Sequence, residues 1–234
     1  MKLKTAVLLV GGKAMRLRPL TDSLPKCMVE IKDKPLIEWI FSWLKENGIE
    51  NVVLGVDYKK EMIMNHVGDG NKFGLNVKYS DHSTAKDTGD AFRMAIEKGN
   101  VTDEHFVAMN GDELTDISLK NLFRFHMEHS PVATIVTAPL KSPFGILEID
   151  DNHTIRSFRE KPVLGDKFVN AGIYIFSQKI RDYLPQEGRL EETTFVKLAN
   201  EGKLKSFKYF GFWSTLNTHK DLEEMKKAVD NYEI

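Results

Sequence analysis

The hydrophobic positions in the first half of the chain alternate between two patterns. A short, fully apolar run bounded by glycines predicts a strand buried on both faces at residues 6–10. Further strands are predicted at residues 52–56, 75–79 and 106–109. Segments whose apolar residues lie three or four positions apart predict helices at 35–48, 59–67 and 88–98. This alternation is typical of βαβ units and of a mainly parallel sheet.

The second half of the chain has a different pattern. Strand-like runs follow one another with few helices between them, at residues 133–138, 145–149, 155–159 and 168–176. Short helices, a further strand and a last helix are predicted at 178–183, 191–200, 205–210 and 218–231, respectively. We interpret residues 1–234 as a single domain in which an α/β half, 1–115, is continuous with a mixed-sheet half, 116–234.

Composition and charge exclude several classes of protein. The chain has 33 basic and 34 acidic residues, which argues against a surface built to coat nucleic acid or an anionic membrane. The single cysteine, Cys27, excludes a disulfide framework and a cysteine-based zinc site. No apolar run approaches the roughly 20 residues of a membrane span, and no signal-peptide pattern is present. We therefore expect a cytoplasmic protein that binds neither nucleic acid nor membrane.

A glycine pair directly after the first strand is the first candidate site. Glycines in such a turn let backbone amides approach phosphate oxygens, and Gly11 and Gly12 are followed by basic residues. Lys13, Arg16 and Lys26 would add charge-assisted contacts to a triphosphate. The spacing matches neither a Walker loop nor a dinucleotide-binding fingerprint. A tight turn with solvated basic residues is the alternative.

Asp112 is the second candidate, in an Asn-Gly-Asp segment after the strand at 106–109. The carboxyl end of a parallel strand is where open α/β sheets bind ligands. A hard carboxylate there suits Mg²⁺, which binds one or two carboxylates together with substrate phosphates. Taken alone, the segment also matches a type I′ turn.

Two segments together resemble the signature of the sugar-1-phosphate nucleotidylyltransferases, which runs G-G-x-G-T-R-L-x-P-L-T and then P-K-P-[ML]. Residues 11–21 read GGKAMRLRPLT and residues 25–28 read PKCM. The chain departs from the signature at Ala14 and Met15, commonly Gly-Thr, and at Cys27, commonly Pro. Further segments resemble motifs of the same family in the expected order: 67–79, 87–91, 110–112, 160–162, 169–174 and 211–221.

The resemblance implies a fold and a reaction. The fold would be Rossmann-like, a three-layer α/β/α arrangement with a mixed, mainly parallel sheet, as in glycosyltransferase-A-like domains. The reaction would transfer a nucleoside monophosphate from an NTP to a sugar 1-phosphate, giving an NDP-sugar and pyrophosphate (EC 2.7.7), with Mg²⁺ as cofactor. Residues 1–115 would bind the nucleotide and residues 116–234 the sugar phosphate. Association into a homo-oligomer is left open.

The resemblance also implies roles for individual residues. The expected catalytic residues are Arg16, Lys26, Asp112 and Lys161. The expected nucleotide-binding residues are Val10, Gly11, Gly12, Lys13, Arg16, Lys26, Thr88 and Gly89. The expected sugar-phosphate-binding residues are Gly145, Glu160, Lys161 and Asn170. The expected metal ligands are Asp112 and Asn217.

The last motif departs most from the family pattern. Many hexose-specific relatives have Trp-x-Asp-x-Gly-Thr where residues 213–218 read WSTLNT, so Thr215 occupies the aspartate position. Glucose-1-phosphate cytidylyltransferases carry an aspartate two residues later, which here is Asn217. An amide oxygen can coordinate a metal but carries no charge.

These departures leave two alternatives open. One is cytidylyl transfer onto a non-sugar phosphate such as phosphocholine. The other is a catalytically reduced subunit that senses nucleotides or nucleotide sugars. Many relatives append a β-helix of hexapeptide repeats, and no such repeat follows Asp221, so we expect a catalytic domain alone.

Overall fold

Seven strands form the central sheet of the computed structural model, which describes residues 2–12 and 14–231. Numbered along the chain, their spatial order is β12 (Leu204–Lys208), β8 (Ala133–Lys141), β11 (Val163–Ser177), β6 (His105–Asn110), β1 (Thr5–Leu9), β4 (Asn51–Val56) and β5 (Asn76–Asp81). Six short strands lie outside this sheet: β2 (Glu30–Ile31), β3 (Lys34–Pro35), β7 (Glu113–Thr115), β9 (Ile146–Ile149), β10 (Ile155–Arg159) and β13 (Trp213–Thr215).

The sheet is mixed and mainly parallel, as predicted. Strands β5, β4, β1 and β6 run parallel to one another, and β12 runs parallel to β8. Only β11 is antiparallel to its neighbours β6 and β8 within this sheet. Because β11 comes from the second half of the chain and β6 from the first, both halves contribute to one continuous sheet.

Helices connect these strands at α1 (Leu20–Ser23), α2 (Leu36–Glu46), α3 (Lys60–Val67), α4 (Thr88–Lys98), α5 (Leu119–His129), α6 (Thr194–Asn200) and α7 (His219–Asn231). Short 3₁₀ helices lie at Met15–Leu17, Lys26–Met28, Asn71–Phe73 and Gln178–Asp182. Within the described ranges, no helix combines the length and apolar character needed to cross a membrane.

The core has two parts, one on each face of the sheet. Ala6 and Leu8 of β1 pack into the part that α2, α3, α5 and α7 cover. Val7, between them, packs into the other part with apolar residues of α4 and α6. Successive side chains of a strand point to opposite faces, so a run that is apolar throughout is buried by helices on both sides. The result is the three-layer α/β/α arrangement that the resemblance implied.

Helix α5 is the main element that the sequence patterns did not predict, because the second half of the chain was interpreted as mostly strands. Its signals are nevertheless present. The Ser118 hydroxyl caps the helix by accepting from the backbone N–H of Asn121, at 3.3 Å. Its buried residues follow helical spacing: Leu119, Leu122, Phe123 and His126.

The segment around Asp112 is not a hairpin turn. Strand β6 ends at Asn110 and β7 begins at Glu113, but β7 pairs antiparallel with β13 rather than with β6. The backbone N–H of Gly111 donates to the carbonyl of Leu9 at 2.8 Å, which ties the segment to the end of β1. The pairing of β7 with β13 brings a segment from the middle of the chain together with one close to its C-terminal end.

Candidate active site

A cavity of about 390 Å³ opens at the carboxyl ends of the parallel strands. This is the edge at which open α/β sheets bind ligands. Six of the expected site residues line the cavity: Val10, Gly11, Gly12, Lys26, Thr88 and Asp112. Lys13, which the sequence also assigned to the nucleotide, lies outside the described residues.

The glycine turn has the geometry of a site that backbone atoms line. A Cβ added at Gly11 would lie 2.4 Å from Nε2 of His82 and 2.8 Å from Cβ of Asp57, so no other residue fits there without displacement. At Gly12 no atom of the described residues, apart from its chain neighbours, lies within 4 Å of the corresponding position. The open space beside Gly12 leaves its main chain accessible to an anionic ligand, whereas the close packing at Gly11 requires glycine there.

Ala14 continues this turn in a left-handed conformation, with φ 45° and ψ 52°. Its carbonyl accepts from the Thr21 hydroxyl at 2.9 Å and from the Leu17 backbone N–H at 3.0 Å. An L-residue in this region costs about 1–2 kcal/mol, which glycine avoids. The backbone at position 14 therefore has the conformation that suits the glycine of the family signature, although this chain has alanine there.

Four of the expected site residues meet at one polar centre. The Lys26 ammonium forms an ion pair with Asp112 and donates to Oδ1 of Asn217 at 3.1 Å. The Arg16 guanidinium donates to the same Asn217 oxygen at 3.0 Å. The side chains of Lys26 and Asp112 are 13% and 21% exposed, so the pair is shielded but reachable from solvent.

Two sets of backbone contacts hold Asn217 in this position. Its neighbour Leu216 donates from its backbone N–H to the carbonyl of Asp112 at 2.9 Å, which joins the two segments directly. The carboxylate of Asp221 accepts from the backbone N–H of Asn217 at 3.0 Å and of Thr218 at 2.7 Å. Asp221 thereby caps the N-terminus of α7. The position of Asn217 thus depends on both strand pairing and helix capping.

Glu113, next to Asp112, is a site residue that the sequence patterns missed. Only 5% of it is exposed, and burial raises the pKa of its carboxyl well above the usual range. The negative charge of Asp112 raises this pKa further, whereas Lys26 and hydrogen bonds from the side chains of Thr215 and Trp213 oppose the rise. Its sequence neighbours are mostly polar, since residues 110–116 read NGDELTD, so no local pattern marks Glu113 as buried.

His82 is a second site residue that the sequence patterns do not identify. It is 7% exposed, lines the cavity, and its Nδ1 has no hydrogen-bond partner among the described residues. Burial lowers the pKa of the imidazole, and the charges of Asp57 and Asp81 oppose this change. Its place directly after β5, at the carboxyl end of a parallel strand, was the signal that marks it.

The two residues expected near the base lie at the start of α4 but differ in surroundings. Thr88 lines the cavity, and its hydroxyl donates to Glu191 at 2.9 Å and accepts from the Leu190 backbone N–H at 3.0 Å. The backbone N–H of Gly89 donates to the carbonyl of Gly188 at 3.0 Å. Gly89 therefore packs against the loop before α6 rather than lining the cavity.

The residues expected to bind the sugar phosphate form a separate group, and none of the four lines the cavity within the described part of the chain. Lys161 Nζ lies 3.6 Å from Oε1 of Glu160, and both side chains are more than half exposed. A Cβ at Gly145 would lie 3.0 Å from Oε2 of Glu160. Asn170 is engaged locally, donating to the Tyr174 hydroxyl and accepting from the Gly172 backbone N–H, each at 2.9 Å.

Cys27 lines the cavity wall but is chemically inert. Its side chain is buried, and burial raises the pKa of the thiol to about 12. A thiol with so high a pKa is not a nucleophile near neutral pH. The residue is a small apolar neighbour of Lys26.

The polar centre fits a magnesium ion that binds together with substrate phosphates. Carboxylate and amide oxygens of Asp112 and Asn217 both approach the Lys26 ammonium, so two hard oxygens lie within reach of one cation. Among the residues that the structure describes, no cluster of three or more His, Cys, Asp or Glu side chains could hold a metal. The protein groups alone therefore supply few ligands, and the remaining positions would fall to phosphate and water.

The site geometry agrees with a family assignment over nearly the whole chain. Residues 5–231 match the family model described as nucleotidyl transferase. The chain belongs to the nucleotidyl transferase family. A "UTP--glucose-1-phosphate uridylyltransferase" of Synechocystis sp. is 33% identical over 216 residues, which are 84% of this chain and 55% of that protein. This chain thus spans just over half the length of that relative.

In two further comparisons, the matched region covers almost the whole of both chains. A Bacillus subtilis protein named "Probable glucose-1-phosphate cytidylyltransferase" is 30% identical over 242 residues, covering 95% of this chain and 94% of that protein. The crystal structure of HddC from Yersinia pseudotuberculosis complexed with GMP-PN has a TM-score of 0.74 at 24% identity, covering 97% of this chain and 99% of that one. The structural likeness confirms the predicted fold class.

Proposed function

We propose that this chain transfers a nucleoside monophosphate from an NTP to a sugar 1-phosphate, giving an NDP-sugar and pyrophosphate. The observation that carries this proposal is the convergence of Arg16 and Lys26 with Asp112 and Asn217 beside the glycine turn. Two cations next to an open backbone suit a triphosphate. The relatives' names supply the reaction class, and the site supplies groups that such a reaction needs.

The chemistry requires little more than positioning. An oxygen of the sugar phosphate attacks the α-phosphorus in line and forms the new P–O bond. The bond from the α-phosphorus to the bridging oxygen breaks, and pyrophosphate leaves with that electron pair. A phosphate monoester is already anionic near neutral pH, so no general base is needed. Catalysis then consists of aligning two mutually repelling anions and neutralising the developing charge.

Each group of residues takes one part of this task. The Gly11 and Gly12 backbone and the Arg16 guanidinium would hold the triphosphate, with Val10 and Thr88 nearer the nucleoside. Lys26 would neutralise charge at the α-phosphate.

The second group would receive the sugar phosphate. Lys161 would align its phosphate, because its side chain is more than half exposed and can reach a ligand. Glu160, beside Gly145, offers carboxylate oxygens to sugar hydroxyls, and Asn170 offers its amide.

We propose Mg²⁺ as the cofactor, held by Asp112 and Asn217. When bound, it would neutralise charge on the phosphates and on the leaving pyrophosphate. Asn217 supplies an oxygen without a negative charge, so the protein contributes one carboxylate to this site. We accordingly expect metal binding to depend strongly on the nucleotide.

A substrate panel tests the proposal. UTP, CTP, GTP and dTTP are each combined with glucose 1-phosphate, mannose 1-phosphate and phosphocholine, and pyrophosphate release is measured. Release with a sugar 1-phosphate supports the proposal, and release with phosphocholine alone favours the non-sugar alternative. If calorimetry detects nucleotide binding but no combination is turned over, the result would favour the sensing subunit. The uncharged Asn217 is the observation that makes this alternative specific. The Asp112→Ala variant provides the inactive control.

A further inference from the structure

The orientation of the Asn217 amide is fixed by its partners. Its oxygen accepts from the Lys26 ammonium at 3.1 Å and from the Arg16 guanidinium at 3.0 Å. Both groups carry only donors, so the amide nitrogen of Asn217 would be repelled at that position. The nitrogen instead donates to the hydroxyl oxygen of Thr215 at 2.9 Å. An amide has one oxygen, so a flip of this group would remove the acceptor from both cations.

Thr215 in turn faces Glu113. The two residues are direct partners in the antiparallel pair of β7 and β13, which places their side chains on the same face. The Thr215 hydroxyl oxygen accepts from Asn217, so its own hydrogen is available to a second partner. The Glu113 carboxyl lies across this strand pair from the Thr215 hydroxyl, where it can accept that hydrogen. Glu113, Thr215 and Asn217 therefore form one chain of contacts that ends at Lys26 and Arg16.

Glu113 is an unfavourable residue for the fold at this position. It is 5% exposed and adjacent in sequence to the carboxylate of Asp112. One of its oxygens, Oε2, has no hydrogen-bond partner within residues 2–12 and 14–231. An apolar side chain would fill the space without the desolvation cost of a carboxyl group. Residues that oppose local stability in this way occur preferentially at functional sites.

We propose that Glu113 is a positioning residue, which acts through Thr215 to hold the Asn217 amide with its oxygen toward Arg16 and Lys26. An aspartate at position 217 would need no such support, because its two oxygens are equivalent. The contacts with Thr215 and Glu113 thereby keep the Asn217 oxygen in place, although the amide group could otherwise rotate. The inference rests on the proposed function only where it predicts an effect on turnover.

Matched pairs of variants test each link. Thr215→Val removes the hydroxyl at nearly constant shape, whereas Thr215→Ser keeps it. Glu113→Leu removes the carboxyl, whereas Glu113→Gln keeps an acceptor oxygen. We expect kcat to fall about tenfold in the first variant of each pair, the equivalent of one hydrogen bond, with KM for the sugar phosphate unchanged. The conservative variants should stay within about twofold of the parent chain. Equal losses in both members of a pair would contradict the inference.

A double-mutant cycle separates positioning from a general structural role. In the Asn217→Asp background, Glu113→Leu should change kcat by less than about twofold, because a carboxylate presents an oxygen in either orientation. If Glu113→Leu reduces kcat equally in the parent chain and in the Asn217→Asp background, the residue supports the fold and the inference is wrong. Thermal unfolding of every variant identifies any that fail to fold.

A readout without substrate makes the inference independent of the reaction. The side-chain amide of Asn217 gives a pair of ¹H–¹⁵N NMR signals, assigned by their absence in Asn217→Asp. We expect Thr215→Val and Glu113→Leu to shift these signals and Thr215→Ser and Glu113→Gln to preserve them. Signals unmoved by Glu113→Leu would overturn the inference. Should no NTP be turned over while the amide signals respond as expected, the proposed function fails and the positioning role stands.

Discussion

Lys26 and Asn217 lie 191 residues apart in the sequence, yet a hydrogen bond of 3.1 Å joins the ammonium of one to the amide oxygen of the other. The same ammonium forms an ion pair with Asp112. Lys26 therefore sits between a charged and an uncharged oxygen donor. When substrate binds, contacts with phosphate or metal would replace these contacts of the Lys26 ammonium.

Replacement of Lys26 by alanine should abolish most of the activity. We expect pyrophosphate release to fall at least about 100-fold, because the developing charge at the α-phosphorus loses its nearest cation. The free energy of unfolding should fall by no more than about 3 kcal/mol, because the mostly buried Asp112 loses its cation but, at 21% exposed, can be partly hydrated. Steady-state kinetics and urea unfolding measure the two effects.

Lys4→Ala is the control for this variant. Lys4 also pairs with a carboxylate, Glu50, at 3.2 Å, but both side chains are more than half exposed and lie before β1 and β4, away from the cavity. It should leave kcat unchanged. Full activity of Lys26→Ala with any accepted substrate pair would refute the role of Lys26.

The sequence identified the members of the polar centre but not its arrangement. Gly11, Lys26 and Asp112 each follow a strand or precede a helix in a recognisable motif, so local patterns are sufficient to find them. Glu113 and Thr215 face each other only because β7 pairs with β13, a contact between segments about 100 residues apart. No periodicity in one segment predicts its partner in another, so the contacts behind Asn217 were found only in the structure.

The fold shows the same division between local and distant information. The predicted strand at 6–10 and helix at 88–98 correspond closely to β1 and to α4. Both have strong patterns within a single segment. Helix α5 was missed because the adjacent β-branched runs favoured strands, although Ser118 caps it and its apolar stripe is regular. A capping residue followed by helical spacing should therefore outweigh the composition of neighbouring segments.

Ala14→Gly should stabilise the chain. Ala14 has φ 45°, a conformation that costs an L-residue about 1–2 kcal/mol. Glycine removes this cost and adds about 0.5–1 kcal/mol of backbone entropy loss on folding, so a net gain of about 0.5–1 kcal/mol is expected. Urea unfolding of the variant measures the gain. Ser130→Gly, at φ 44° after α5, is the matched control and should stabilise by a similar amount. A destabilised Ala14→Gly variant beside a stabilised control would contradict this account of the turn.

Gly172→Ala should damage both stability and activity. Gly172 has φ +70°, and a Cβ there would lie 2.7 Å from Oε1 of Glu113 and 2.9 Å from Nδ2 of Asn110. We expect a loss of roughly 2–3 kcal/mol, from strain plus displacement of these side chains, and a lower kcat. Gly202 has nearly the same φ, +69°, with no atom within 4 Å of its Cβ position. Gly202→Ala should therefore lower the free energy of unfolding by only about 1 kcal/mol and leave kcat unchanged. Equal effects in the two variants would show that the contact between position 172 and Glu113 is unimportant.

Lys161→Ala should affect the acceptor and spare the nucleotide. Lys161 is more than half exposed beside Glu160, so its removal changes no buried contact. We expect KM for the sugar phosphate to rise about tenfold or more, through loss of one charge-assisted contact, with KM for the NTP unchanged. Lys167→Ala removes a similarly exposed lysine from the same region and serves as the control. A rise in KM for the NTP instead would place Lys161 on the nucleotide side.

The buried His126, in contact with the partly exposed His105, should make the fold sensitive to mild acid. His126 is fully buried, with Nδ1 2.8 Å from the Thr134 hydroxyl and Nε2 3.1 Å from Nδ1 of His105. Burial, and then the proximity of His105, lower the pKa of His126 to about 4 from 6.5. Below pH 6.5 the unfolded chain binds a proton that the folded chain does not, so stability is lost as the pH falls from 6.5 to about 4. The full shift corresponds to roughly 3 kcal/mol as an upper limit.

Urea unfolding between pH 7 and about pH 4.5 measures this loss. His126→Gln removes the titrating group, so its stability should fall less steeply with acid than that of the parent chain, although it is lower at pH 7. His129→Gln, at an exposed position on the same helix, should keep the steep dependence. His105 and His82 also have pKa values lowered by burial and contribute in the same direction, so the slope should flatten in His126→Gln without vanishing. An unchanged slope in His126→Gln would mean that His126 gains its proton in the folded chain as readily as in the unfolded one, which its complete burial opposes.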